Sequence, residues 1–393
     1  MTMKKFDQGP KRFGGIAPLT CVLLVAILGM VAFAVDISWM VMTQSELQNA
    51  ADAASHAGAS KLADNFVLYS LPTQSATNKA SLRAAAVTAA KSAAQTYAAY
   101  HSAGGVNLTL LASDIDVGFT NGSGTFTSYA TNSSNYPNTV KATMRRDSSA
   151  NTPLGLFFAP VLGISDANLV APATAMLYTG TINSFKVGTA NSGMMPLTYD
   201  INDWNNFIAS GKDKAGVVNK DSSGNPILQI YGTVKDTGNF GLLSLNDSHV
   251  GASTISGWIN EGVPPSDIQT LVNNKLIPLS AHNPKLWDWQ GDTGFKATNA
   301  MDLNAHVGET YILPLFTPAV NTPVSYSAGV GQGANYFYNI VAFVGVKIMP
   351  ASQTNRQVWI QPVAVSDPNF VLSNPVPAGT GTFSTAMSVR LTQ

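Results

Sequence analysis

Few residues in this chain are equipped for chemistry. It has five histidines, His56, His101, His249, His282 and His306, and a single cysteine, Cys21. His306 and Glu309 have an H-x-x-E spacing with Asp302 nearby, a set that could bring three ligands to a metal at a helix end. The motif lacks a second histidine, so no metal centre is expected. Asp114 and Asp116 alternate on an expected strand and would share a face, where with Asn121 they could hold calcium; a solvated strand face is the favoured account. Gly329, Gly331 and Gly333 in GVGQGANY lack the spacing of a dinucleotide loop and read as a flexible loop, and DSSGNP at Asp221 to Pro226 reads as a turn. Trp287 and Trp289 flank Asp288, and with Trp204 and Trp258 they could form a platform for sugar rings. Tryptophan also anchors cores. Nothing here assembles an acid, a base and a nucleophile, so the expectation is a non-enzyme with no catalytic residue, no metal and no cofactor.

The elements that would position such residues start with the run Ile16 to Val35, inside a window without charge from Phe13 to Val35. Twenty helical residues rise roughly 30 Å, the thickness of a bilayer's hydrocarbon core. Ile16, Leu23, Leu24, Ile27, Val31 and Val35 are assigned to the span. No small-x-small cleavage signal closes the run, Ala32-Phe33-Ala34 being the nearest imitation, which favours an uncleaved anchor over a signal peptide or a buried helix. Cys21 lies within the span, so no intrachain disulfide and no lipoprotein site is expected. Lys4, Lys5, Lys11 and Arg12 precede the span, whereas only acidic charges, Asp36, Glu46 and Asp52, occur from there to Ser60. The positive-inside rule then keeps the N-terminus in the cytoplasm, exports the remainder and places Trp39 at the interface.

Charged residues make up 11% of the chain, with Lys+Arg and Asp+Glu balanced at 22 each, which excludes the basic stripe of a nucleic-acid binder. No proline interrupts Leu19 to Leu71. Met40, Gln44, Leu47, Ala51, Ala54, Gly58 and Leu62 recur every three or four residues as a seam of mostly small side chains. A rod from about Ile16 to about Asn65 follows, packing through that seam on a second helix, Ser75 to His101, whose inner side is read as Ala80, Val87, Ala90, Ala94 and Tyr97 and which Gly104-Gly105 ends. Leu47, Ala51, Ala54, Gly58 and Leu62 are the candidate helix-packing or partner surface.

From Val106 the period becomes two. VNLTLLASDIDVGFT, TFTSYA and TVKATMRRD read as strands, with Asn121-Gly122 as a hairpin turn. PLGLFFAPVLGI reads as a short buried helix and NLVAPATAMLYTG as the next strand. Ile182 to Ser192 reads as a connector to a second unit of helices and strands, in which Ser266 caps a helix and the chain ends in a sheet. The expected class is α+β: a tail (1–15), a transmembrane helix (16–35), a helical hairpin (36–105), a small α+β unit (106–181) and a C-terminal α+β unit (190–393), both units rich in antiparallel strands.

The segment Arg12 to Ala63 resembles the N-terminal region of TadE/TadG-like proteins of tight-adherence (Flp) pilus assembly. The shared pattern is a hydrophobic helix, an acid at Asp36, Leu-Gln-Asn-Ala-Ala-Asp-Ala-Ala at Leu47 to Ala54 and Ala-Gly-Ala at Ala57 to Ala59; Ser55 and His56 depart from it. Thr139 to Tyr178 and Gly238 to Gly262 resemble TadG-related members more loosely. The resemblance implies a bacterial inner-membrane, single-pass component whose C-terminal region is periplasmic or surface-exposed. Its partners would be the membrane and pilin-like or pilus-assembly proteins, in a minor-pilin-like or tethering role. Neither a nucleic acid nor a small molecule is expected as a ligand. The alternative is a membrane-tethered adhesin or carbohydrate-binding surface protein. Pilins are cut after a Gly and carry Glu at the fifth mature position; a cut after Gly15 would put Thr20 there, so no such processing is expected. No metal-binding loop of the von Willebrand A type is present to carry over.

Overall fold

The computed structural model describes residues 16–231, 240–246, 248, 250–274, 276–279, 289–292, 297–317, 337–350, 357–381 and 383–392. The class is α+β, a long apolar N-terminal helix followed by sheets rich in antiparallel strands. The basic residues at 4, 5, 11 and 12, together with His249, His282, Trp287 and the glycines of GVGQGANY, lie outside the described residues.

Helix α1 (Ile16–Ser70) is one unbroken element of 55 residues, about 82 Å long. It runs five residues past the expected end because Leu71-Pro72 is the first break in an alanine-rich sequence. Ser75 then caps α2 (Ala76–Ala98), its side chain accepting from the Asn78 N–H. The two form an antiparallel hairpin. The inner stripe of α2 is Ala86, Ala90, Ala94 and Ala98, a strict four-residue repeat; Ala80 and Tyr97 face outward, contrary to expectation. Gly104 and Gly105 do not stop the helix. Both have positive φ and turn a tight hairpin between Ser102–Ala103 and Val106–Asn107, a conformation that suits glycine.

The hairpin packs on a six-stranded sheet centred on the long strand Leu169–Phe185. One edge of that strand pairs first with Thr139–Arg146 and then with Phe370–Pro377; the other edge pairs with the final strand, Ala386–Thr392. Ile115–Thr120 and Phe126–Ser128 complete the sheet. Ile182 to Phe185, read as connector, therefore belongs to a strand. The stretch PLGLFFAPVLGI is not a buried helix: it is a short ladder, Leu154–Gly155 against Asp166–Ala167, closed by an exposed 3-10 turn, Ala159–Leu162. Pro160, in the middle of the run, would remove one helical hydrogen bond and clash with the carbonyl four residues back, so an α-helix does not run through it.

A second, nine-stranded sheet is antiparallel except where Thr310–Phe316 runs parallel to Leu197–Asp200. Short amphipathic helices, among them Ile201–Ser210, Ala252–Glu261 and Pro265–Asn273, cover it. Ser266 lies inside the last of these; its N-cap is Pro264, with Pro265 at the first helical position. The last two strands leave this unit and return to the first sheet, so the C-terminal region is shared between the two layers.

Candidate functional site

The first half of α1 is bare. Ile16, Leu23, Leu24, Ile27, Val31 and Val35 are all exposed, as is Cys21, which is what a lipid-facing helix requires. The helix is long and apolar enough to cross a membrane. Burial begins abruptly at Asp36, whose side chain is only 3% exposed. From there the sheet holds the helix: Gln44 and Gln48 donate to the carbonyls of Val170 and Pro172, and Glu46 accepts the Gly104 N–H at 2.7 Å.

Asp36 is the centre of the exit from the span. Its two carboxylate oxygens accept the backbone N–H groups of Phe157, Phe158 and Ala159, with shortest distances of 2.8, 3.0 and 2.7 Å. Burial by itself would raise this carboxyl's pKa; the three N–H donors outweigh it and hold the group below the ordinary value. One turn on, Trp39 lies 5.7 Å from the Phe157 ring. The loop that reaches Asp36 is pinned at its base by Arg146, buried and charged, which donates to the carbonyls of Thr152 and Pro153 on one side and Ala103 and Gly104 on the other. Asn151 and Thr152 turn the chain into the loop at positive φ, and the Asn151 side chain bonds to the Thr109 and Arg145 backbone. Asp36 was legible as a family feature; its partners, in a loop 121 residues away, carried no sequence signal.

The seam is filled by the chain itself. Leu47, Ala51, Ala54 and Leu62 are fully buried, and Gly58 faces the Ala90 carbonyl and Val140. The physical reason is size: small side chains let α2 and the sheet approach closely, and those neighbours then leave no room for another molecule. These five residues are accordingly an internal packing surface rather than one offered to partners. Beside Leu62, the Tyr136 hydroxyl donates to the Leu62 carbonyl at 2.6 Å and packs against Phe66 and Tyr69.

The residues suspected of chemistry are dispersed. His306 has both ring nitrogens engaged, with Glu309 and Asn260, while Asp302 accepts from Ser256. Asp114 ends a 3-10 turn and pairs with Arg145, whereas Asp116 is on the following strand and accepts from Ser128; the two do not share a strand face. Asn121 and Asp221 close their own turns. Trp204, Trp258 and Trp289 are buried in the core, so these three cannot stack on a sugar. Among the described residues no three His, Cys, Asp or Glu side chains stand together as metal ligands. A cleft of ≈ 480 Å³ between the two sheets, near Trp204, Phe343 and Asn374, has no ionisable side chain among its described lining residues.

Fold and exit site together define a class: a protein with, among the described residues, one helix of membrane-spanning length, whose far half is built into an α+β domain. Residues 14–61, the bare helix and the first part of the buried rod, match the family described as "Putative Flp pilus-assembly TadE/G-like". The similarity to that family lies in this N-terminal stretch. No curated protein and no solved structure matches the chain significantly.

Proposed function

We propose that this protein is a non-enzymatic, single-pass component of Flp pilus assembly, acting as a minor-pilin-like or tethering element. Its N-terminus would be cytoplasmic and its α+β domain periplasmic. The observation that carries the reading is α1 itself: a helix whose apolar span residues are exposed, whose later turns, from Leu47 to Val67, bury one face in a globular domain, and whose 14–61 stretch matches the pilus-assembly family. Such a rod transmits position and force between bilayer and domain without a hinge. Since the small-residue seam is occupied internally, partners would meet the bare face of the span and the outer face of α2, through helix packing. The adhesin alternative loses three of the four indoles on which a sugar platform depended.

Deleting the gene and imaging surface pili tests the role. A loss of pili and adherence, restored by the full chain, is expected. Normal pilus number and adherence would overturn it. Fusing a reporter active only outside the cytoplasm after Thr392 tests the orientation, an inactive fusion placing the domain inside.

A further inference from the structure

Between Asp147 and Asp166 the chain has no charged residue, and its middle, Leu156 to Ile164, reads LFFAPVLGI. In a water-soluble loop these side chains would fold inward. Here Phe157, Phe158, Val161, Leu162 and Ile164 all point outward, Val161 at 87% and Leu162 at 78% exposure. So dense an apolar patch marks a contact surface.

Two observations identify what covers it. The first is place. The loop stands against α1 where the span ends: Phe157 forms an apolar groove with Val31, Ala34, Val35, Trp39 and Met42, and Val31 lies roughly 7.5 Å below Asp36 along the helix axis. The patch is therefore continuous with the lipid-facing surface of the span, at the depth of an interfacial tryptophan. The second is backbone accounting. The N–H groups of Phe157, Phe158 and Ala159 are taken by Asp36. Those of Leu156, Val161, Gly163 and Ile164 are taken by the carbonyls of Ser165, Phe158, Pro160 and Ala159, and Pro160 has none, so seven of the eight N–H groups from Leu156 to Ile164 have a partner within the chain. A protein-binding loop can leave such donors for water or a partner, whereas one entering lipid must satisfy them first.

We infer that the Leu156–Ile164 loop is a second membrane contact: a wedge inserted into the headgroup–acyl boundary of the leaflet through which α1 exits, with lipid as its occupant. Elements of this kind sit roughly 5–10 Å into the boundary. With Asp36 as the clasp, span and wedge form a two-point mount that fixes the domain's rotation about α1 and its height above the bilayer. The inference rests on Ile16–Val35 being the span.

The test uses the full chain in vesicles of phosphatidylethanolamine and phosphatidylglycerol, with a nitroxide on the native Cys21, or on V161C or S134C in a C21S background. Ser134 is an exposed loop residue. Collisions with oxygen report lipid, and collisions with aqueous nickel ethylenediaminediacetate report water. The expected result is loss of nickel access at both Cys21 and V161C, with oxygen access retained, and full nickel access at S134C. Nickel access at V161C with Cys21 protected would overturn the wedge and leave the span standing; nickel access at Cys21 would overturn both. A V161C label shielded from both relaxants only at high protein-to-lipid ratio would overturn lipid in favour of a second copy of the chain.

Discussion

Replacing Gly58 by alanine sets two effects of opposite sign against each other. In an isolated helix the change stabilises by about 1 kcal/mol, because alanine loses less backbone entropy. In this structure a Cβ on residue 58 would stand 3.0 Å from the Ala90 carbonyl oxygen, 3.1 Å from Val140 Cγ1 and 3.4 Å from Ala94 Cβ. The nearest of these atoms belongs to the backbone of α2, which yields only if the helix shifts, and overpacking of that kind costs about 1–3 kcal/mol. The balance is a net loss of about 1 kcal/mol for Gly58→Ala. Gly58→Leu, which cannot fit without separating the hairpin, should lose more. Gly29→Ala is the control, since nothing lies within 4 Å of its Cβ position. Thermal unfolding of the full chain in detergent, followed by circular dichroism, would read the change. A loss of 1 kcal/mol lowers the midpoint by about 1 °C in a chain of this size. A raised midpoint for Gly58→Ala would show that the hairpin is looser than described, and would reopen the seam as a surface for partners.

Tyr136→Phe removes one buried hydrogen bond to the Leu62 carbonyl and should cost about 1 kcal/mol in the same assay; no change would mean that the hydroxyl is solvated. Asp36→Ala should release the wedge, seen as faster chymotryptic cleavage at Phe157 and Phe158, with the midpoint of the rest little changed. The pH dependence has a definite sign. Because the Asp36 carboxyl is held below its unfolded value, its stabilisation is present above that value and lost as pH falls through the folded one. Chymotryptic protection of the loop should thus be flat from about pH 5 to 8 and any failure confined to acid below about pH 4. Loss of protection near neutrality would contradict the hydrogen-bonded carboxylate. Edman sequencing of the mature chain should not begin at Ile16, since Thr20 stands where a processed pilin has glutamate; a start at Ile16 would refute that.

The long helix, its hairpin partner and the α+β class were legible because they rest on local signals: an uncharged apolar run, small residues at helical spacing, period-two alternation. What was not legible depends on distance along the chain. The seam residues stood out by their helical spacing, but periodicity cannot say whether the complement lies in the same chain, and beside Gly58 it is Ala90, Ala94 and Val140 that supply it. PLGLFFAPVLGI looked like a buried helix because hydrophobicity ordinarily reports a core; beside a membrane span the same signal reports the outside. Phe370–Pro377 was missed as a strand because its two prolines and its mostly half-buried residues hide any alternation. Asp114 and Asp116 looked paired only as long as the strand was extended one turn too far.

The final described strand, Ala386–Thr392, pairs with Thr174–Gly180 in the middle of the long strand and touches α1. Thr392 reaches Thr174 across 218 residues of sequence. Pairing along this edge therefore closes a very long loop, and contacts of such separation form late in folding. The sheet that grips the helix is completed only when residues from both ends of the domain have met, so a chain that loses this strand would keep its apolar helix while its domain held that helix less firmly.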